Sequence, residues 1–438
     1  VQEQYHHLIA EWQNQILRTE GISRKYEQDV LDTVGSKPVK IITGFRRSGK
    51  SFLVQRLARR LIDRKQYSPA DILYLNFEDF RLAPINNPEK LNTLYRTFRT
   101  SLAGNGNKLL IFDEIQKVRD WDKFIRTIYE KDNDIDIILT GSNSELLSAE
   151  IGSNLAGRFI EFSILPFDFR ETLLYQGINI HTVGDYYRHK DEIDRIFSFH
   201  VKFGGLPEIL TINQEQARYS YLEGILNKVI LDDIIDRFKV RHPAIIEKIF
   251  YYLLAAVGNN ISFTKVSHYL QQLGINLKPE TIINYTQHII KTFALYETNK
   301  FDWKIGKIFS TSRKYYSVDT GINHLNPTTV SNFSKQLENI AFLKLKRQYK
   351  TINFGALPSG KEIDFIAQSR DGNFTKLQIT QTINDHNYDR EISPFTLADQ
   401  YLKGDNILLT LDDEEKDIKE QGIIITQKNL IKWLLDLA

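Results

Sequence analysis

A chain of 438 residues is long enough for two to four domains at about 100–200 residues each, so a single packed core is not expected. With 42% hydrophobic, 26% charged and 12% aromatic residues, it has the composition of a folded globular protein, not a disordered one. A formal charge of +2, from 57 basic and 55 acidic side chains, excludes a global field toward nucleic acid or anionic lipid, and the lack of cysteine excludes disulfides and thiolate metal sites.

No run approaches the roughly 20 apolar residues of a membrane span, and VQEQYHHLIAEWQNQ has no signal-peptide layout. The expectation is a cytoplasmic protein with no membrane partner. Residues 1–21 read as an N-terminal helix, and 22–170 as the first large domain. There VKIITGFRRSGKSFLVQRLARRLI combines a short buried strand (Val39 to Thr43), a glycine-rich turn and an amphipathic helix with Phe52, Leu53, Leu57 and Leu61 on one side. The turn, Gly44-Phe45-Arg46-Arg47-Ser48-Gly49-Lys50-Ser51, satisfies G-x-x-x-x-G-K-[ST] between a strand and a helix. Glycines let such a loop wrap a phosphate with inward-pointing N–H groups, and the helix N-terminus adds partial positive charge. Contacts to ATP are expected from Gly44 through Phe52. Lys50 would reach the β- and γ-phosphates and Ser51 would bind Mg²⁺. The basic run QRLARRLIDRK reads as a solvated helix face.

A second strand spans Ile72 to Phe77. A third, Leu109 to Phe112, runs into Asp113 and Glu114, the Walker B pattern in which Asp113 holds the metal and Glu114 polarises the attacking water. A fourth, IDIILTGSNS, ends in Thr140, Ser142 and Asn143; Ser142 and Asn143 are equal candidates for a residue that senses the γ-phosphate or orients water. Arg158, before another apolar strand, is a candidate arginine finger in cis or in trans. The catalytic set expected is therefore Lys50, Glu114 and Arg158.

Residues 171–240 are helical and aromatic-rich, broken by FGGLPEI, whose paired glycines and proline mark a turn; they read as a lid or linker. Residues 241–325 carry three helices with glycine stops and a Pro279 start, then a hairpin, the spacing of a winged helix. Its candidate recognition helix, Pro279 to Thr292, has His288 and Lys291 as cations, few for phosphate contact, so a DNA partner is weakly signalled and a protein partner at least as well supported. In residues 326–438, Glu338 on a helix, Asp364 on one strand and Gln378 on the next resemble the acidic constellation of PD-(D/E)XK nucleases. The lysine expected two positions after Gln378 is Thr380, with Lys361 or Lys376 as substitutes in space, so a non-cleaving scaffold with a vestigial site is expected.

The ordered segments ITGFRRSGKS, IFDEIQKV, LTGSNSELLS, LAGRF, LPFDFRE, FGGLPE, RKYYSVDTG, LENIAFLKL and KEIDFIA resemble a bacterial and archaeal family of AAA-type ATPases that end in a nuclease-like domain of unknown function. The resemblance implies an α/β P-loop NTPase core with a parallel sheet, a helical lid, a winged helix and a nuclease-like α/β domain. It also implies ATP and Mg²⁺ as ligands. Arg46 and Arg47 match the family's paired arginines, with phosphate contact or structural pairing as their role. The function expected is Mg²⁺-dependent ATP hydrolysis that moves or gates the later domains. The alternatives are a nucleotide-gated interaction switch and an ATP-regulated nuclease, and the sequence does not distinguish a monomer from an oligomer.

Overall fold

The computed structural model describes residues 2–144, 155–240, 242–303, 312–325 and 332–437. It divides into two compact units, Val1–Leu165 with Lys291–Phe293, and Pro166–Ile290 with Ala294–Ala438.

The first unit is built on five strands, β1 (Val39–Gly44), β2 (Ile72–Asn76), β3 (Lys108–Asp113), β4 (Ile135–Gly141) and β5 (Phe159–Ile164), in the order β2-β3-β4-β1-β5. Every pairing is parallel. The four strands β1 to β4 are largely apolar and buried without alternation, as a sheet covered on both faces requires, with β1 and β3 buried from end to end, while the edge strand β5 is mostly half-buried. The covering helices include α1 (Gln2–Leu17), α2 (Lys50–Asp63), α3 (Pro88–Ser101) and α4 (Trp121–Lys131). Leu8, Ile9, Trp12 and Ile16 of α1 belong to the same apolar cluster as the strands, and Trp12 meets Tyr74 edge-on at 5.7 Å. The N-terminal helix is thus part of this core.

On α2, Leu53, Leu57 and Leu61 are fully buried, but Phe52 is 40% exposed. It stands one position, about 100° of helical rotation, off the buried i, i+4, i+8 stripe, which corrects its expected place on the apolar side. The basic face of α2 is also less solvated than expected. Arg56 and Arg60 pair with the buried Glu27 at 2.7 and 2.8 Å.

The second unit begins with helices α5 (Phe169–Tyr175), α6 (Val183–Arg188), α7 (Lys190–Phe203) and α8 (Glu215–Lys228), then a π-helical stretch, Val229–Asp236. Three more helices, α9 (Pro243–Ala255), α10 (Phe263–Gln272) and α11 (Pro279–Lys291), precede an antiparallel pair, β6 (Leu295–Lys300) and β7 (Arg313–Ser317). After α12 (Thr320–His324) and α13 (Phe333–Gln348) come β8 (Thr351–Ala356), β9 (Glu362–Gln368), β10 (Phe374–Ile379), α14 (Tyr388–Asp399), β11 (Asp405–Thr410), β12 (Lys416–Glu420), β13 (Ile423–Asn429) and α15 (Leu430–Leu434). The eight strands form one mixed sheet, β12-β13-β11-β10-β9-β8-β6-β7. The hairpin does not stand apart as a wing. The second edge of β6 pairs in parallel with β8 through Asn299↔Asn353 and Lys300↔Phe354, so the sheet runs across the boundary expected at 325/326.

The segments LPFDFRE, FGGLPE and RKYYSVDTG meet inside this unit. The buried Asp319 carboxylate accepts N–H bonds from Gly205 at 2.7 Å and Gly321 at 2.8 Å, and Phe167 N–H reaches the Gly205 carbonyl at 2.8 Å. A Cβ on Gly204 would lie 1.9 Å from Asp319 Oδ1, and one on Gly205 would lie 2.1 Å from the Phe167 oxygen. His200 is buried beside them, its Nδ1 3.0 Å from the Thr172 hydroxyl. These motifs hold a fold together, and their glycines are fixed by close approach, not by a turn alone.

Candidate nucleotide-binding site

The carboxyl ends of β1, β3 and β4 bring the expected residues to one edge of the parallel sheet, where open α/β sheets place their ligands. Gly44 closes β1 with φ +150°, and a Cβ there would lie 2.1 Å from the Ile164 carbonyl, so only glycine lets β1 leave the sheet beside β5. Gly49 adopts the left-handed conformation as the N-cap of α2, and Arg47 is left-handed too at φ 65°. The guanidinium of the buried Arg24 props the loop, donating to the Ser48 carbonyl at 3.0 Å and the Leu165 carbonyl at 2.8 Å. Nothing in the local sequence around Arg24 marks it for that task.

Lys50 Nζ folds back onto its own loop, donating to the carbonyls of Gly44 and Phe45 at 3.0 Å each, and lies 3.7 Å from Glu114 Oε1. Asp113 is fully buried. It accepts from the Tyr74 hydroxyl at 2.7 Å and from the Thr140 hydroxyl. Burial, followed by the neighbouring Glu114 charge, pushes the Asp113 carboxyl up, and Thr140, Tyr74 and the nearby Ser51 oppose the rise. Tyr74 is itself held by Gln55 Nε2 at 3.1 Å. Tyr74 lies on β2, beside β3, and no local sequence pattern marks it.

Glu114 has a left-handed backbone, φ 54° and ψ 44°, which turns its side chain back over the strand end. Its N–H is held by Thr140 Oγ1 at 3.0 Å, and its Oε2 accepts from Ser142 Oγ at 3.1 Å and from Gln116 Nε2. Burial would raise its pKa. The Lys50 charge, the Gln116 and Ser142 bonds and the Arg46 charge outweigh it and hold the carboxylate below the usual range. Of the two residues equally placed by sequence, Ser142 is the one bonded to Glu114, while Asn143 is buried next to it.

Arg158 stands elsewhere. The register Val39↔Phe159 and Gly44↔Ile164 puts it at the amino-terminal edge of the sheet, beside Glu130 at 3.5 Å. A strand of this length, at about 3.3 Å per residue, separates it from the phosphate loop by roughly 16–20 Å. A reach to its own γ-phosphate is therefore corrected, and a finger role would have to serve a neighbouring molecule.

The residues present fit Mg²⁺ with a nucleotide. Such a site needs one or two protein oxygens, the phosphates supplying others, and the Ser51 hydroxyl is close enough to the Asp113 carboxylate to lower its pKa. The Ser48 hydroxyl is buried within the loop without a hydrogen-bond partner.

The second unit also gathers its three predicted residues, in a different chemical state. Glu338 accepts from Tyr316 at 2.7 Å and Lys335 at 2.6 Å, with Lys314 Nζ at 3.8 Å, and Lys314 also pairs with Glu362. Asp364 Oδ2 accepts the Ile379 N–H at 2.9 Å, and Gln378 is used at both ends, accepting from Asp364 N–H and donating to Glu391. Lys376 is committed to the buried Asp399 at 3.0 Å, and Lys361 is a surface side chain beside Asp389 at 2.8 Å; neither is paired with Glu338 or Asp364. Lys314, on β7, is the buried cation instead. Glu338 already carries lysine counter-charge and both ends of the Gln378 amide are taken, so the nuclease metal implied by the resemblance does not fit.

Among the described residues no helix is long and apolar enough to cross a membrane. A family model described as an AAA domain matches residues 36–173, and one described as a domain of unknown function, DUF8612, matches 194–335. An uncharacterised protein of Methanocaldococcus jannaschii is 32% identical over 383 residues, 86% of this chain and 82% of that one. An uncharacterised protein of Haemophilus influenzae is 30% identical over 353 residues, 80% of this chain and 84% of that one. Among solved structures, a Walker-type ATPase of Pyrococcus abyssi aligns with a TM-score of 0.46 at 15% identity, over 69% of this chain and 95% of that one. An AAA-domain match on the sheet that carries the phosphate loop, together with relatives that share most of their length with it, places the chain in the family of AAA-type P-loop proteins to which these archaeal and bacterial proteins belong.

Proposed function

We propose that this protein hydrolyses ATP to ADP and phosphate with Mg²⁺, and that the helical and mixed-sheet unit is the output of that cycle. The supporting observation is the convergence of Lys50, Ser51, Asp113 and Glu114 at the carboxyl edge of the sheet, with Ser142 holding the glutamate. The loop from Gly44 to Ser51 would bind the phosphates through its N–H groups. Lys50 would exchange its two loop carbonyls for phosphate oxygens, and the exchange is favoured because bonds to charged acceptors are the stronger ones. Ser51 and Asp113 would hold the metal, which when bound neutralises charge on the β- and γ-oxygens. Glu114, kept ionised by Lys50, would take a proton from the attacking water. The assignment of each of these residues belongs to this reading.

A pure nucleotide switch has less support, because a Glu114 fixed at its backbone N–H and its carboxylate is a costly feature for a site that need not orient water. The deciding measurement is ATP turnover by the wild type, Lys50→Ala and Glu114→Gln, with and without DNA. Turnover in the wild type alone is expected; equal, negligible rates in all three would sink the proposal. Stimulation by DNA would give the output unit its partner class.

A further inference from the structure

With Arg158 at the far edge of the sheet, charge developing on the γ-phosphate needs another cation. Arg46, the third residue of the phosphate loop, has the right position. Its Nη1 lies 3.2 Å from Glu78 Oε1, and its side chain is only 11% exposed. Glu78 follows β2, and β4 and β3 stand between β1 and β2 in the sheet. A side chain that leaves the turn after β1 and meets Glu78 therefore crosses the carboxyl ends of β4 and β3, over Asp113 and Glu114. Its charge is one of those felt by Glu114. The Glu78 carboxylate is half-exposed, so water can reach it when the guanidinium turns away. A nucleotide phosphate would offer that guanidinium a planar, bidentate, charge-assisted acceptor.

We infer that Arg46 is a catalytic arginine acting in cis, which leaves Glu78 when ATP binds and lays its guanidinium on the γ-phosphate oxygens next to Glu114. This rests on the hydrolysis reading above. In the step, the water oxygen bonds to the γ-phosphorus while the bond from that phosphorus to the β–γ bridging oxygen breaks. The electron pair stays on ADP, the water proton passes to Glu114, and inorganic phosphate leaves. Arg46 takes no proton. It stabilises negative charge that is greater in the transition state than in bound ATP, the role in which an arginine contributes about 10³–10⁵ in turnover. Arg47, left-handed in the loop, is not assigned this role.

The test compares wild type, Arg46→Ala, Arg46→Lys and Lys50→Ala in three measurements: turnover, affinity for a fluorescent ATP analogue, and trapping of ADP by aluminium fluoride. Arg46→Ala should lose at least about 100-fold in turnover, keep nucleotide affinity within about fivefold and fail to trap ADP. Arg46→Lys should recover only part, because a shorter side chain with a point-charge ammonium lacks the rigid, coplanar pair of donors that matches two oxygens of one phosphate. Mixing Lys50→Ala with Arg46→Ala should restore nothing, whereas an arginine acting in trans would complement. Restoration on mixing, turnover within threefold of wild type in Arg46→Ala, or lost affinity with unchanged turnover would each overturn the inference. A wild type that hydrolyses ATP only with Lys50, yet is indifferent to Arg46, leaves the hydrolysis reading intact and removes this one. An inactive wild type removes both.

Discussion

Gly204→Ala tests the idea that FGGLPE is a packing device. The backbone at Gly204 has φ 77° and ψ −163°, a region open in practice to glycine alone, which costs other residues about 1–3 kcal/mol. The added Cβ would lie 1.9 Å from Asp319 Oδ1 and 2.3 Å from the carboxyl carbon, so the carboxylate must move. Asp319 is buried and holds the Gly205 and Gly321 N–H groups, and each charge-assisted bond weakened costs about 1.5–3 kcal/mol. The sum is at least about 3 kcal/mol, a large share of a domain's 5–15 kcal/mol. For a unit of this size that is a fall of roughly 6–12 °C in melting temperature. Because two units can unfold separately, melting should be followed by near-ultraviolet dichroism together with limited proteolysis that reports on residues after 166. Gly224→Ala is the control. It lies inside α8 with nothing within 4 Å of its missing Cβ, and the change should stabilise by up to about 1 kcal/mol. A Gly204→Ala protein that melts within about 2 °C of wild type would refute the argument.

Three other outcomes follow from the same contacts. Ser142→Ala removes one donor to Glu114 and should lower turnover about 10–100-fold, the equivalent of a 1.5–3 kcal/mol bond to a charged group, with ATP affinity nearly unchanged; unchanged turnover would leave Ser142 without a part in hydrolysis. Lys314→Met takes its direct partner from Glu362 and leaves Glu338 with Lys335 as its paired cation beside Asp364, and should destabilise the second unit by about 2–4 kcal/mol in thermal melts, with part recovered by adding Glu338→Gln; a loss under about 1 kcal/mol would contradict the ion network. Burial lowers the His200 pKa from 6.5 to about 4, so the unfolded chain takes a proton that the folded one refuses. Its share of stability is complete above pH 6.5 and falls by roughly 3 kcal/mol as the pH drops to 4. Asp319, raised by burial from 3.8 to about 6, acts in the opposite sense, since its folded carboxyl keeps a proton that the unfolded chain releases and its share falls as pH rises through that window. His200→Gln should therefore gain stability relative to wild type as the pH falls from 6.5 to 4, read as the difference between their melting profiles; parallel profiles would disprove the assignment.

The phosphate site was legible because its parts are contiguous: a strand, a glycine-rich turn and a helix, then an apolar strand ending in Asp113-Glu114. Periodicity carried the strands because the parallel sheet is buried on both faces. The groups that hold Asp113 and the loop were not legible, since Tyr74 and Arg24 reach their partners through space and neither has a local pattern. Lys314 was hidden for the same reason. Its strand belongs to the expected wing, yet α13 bonds directly to β7 through Tyr316–Glu338 and Ser317–Asn339, which brings Lys314 to Glu338. Arg158 is the instructive case. A residue that precedes a parallel strand lies at the amino edge, while a loop that follows one lies at the carboxyl edge, so its distance from the phosphates was implicit in the strand order once β5 was known to pair with β1.

The two charged clusters show how the same residue types serve different ends. In the second unit the lysines are spent: Lys314 and Lys335 meet Glu362 and Glu338 directly, and Gln378 uses both ends of its amide. Admitting a ligand there would mean breaking buried ion pairs, each break costing about 3–5 kcal/mol. In the first unit the loop cations face acceptors of the kind a phosphate can replace. Lys50 rests on two loop carbonyls and stands 3.7 Å from Glu114, and Arg46 rests on a half-exposed Glu78. The carboxylates beneath are fixed by neutral hydroxyl and amide donors from Tyr74, Thr140, Ser142 and Gln116, which stay in place when the cations move. A site that must bind and release a triphosphate in every cycle needs this division between fixed acids and exchangeable bases. The acidic pair at Asp113-Glu114 has it, and the one at Glu338-Asp364 does not.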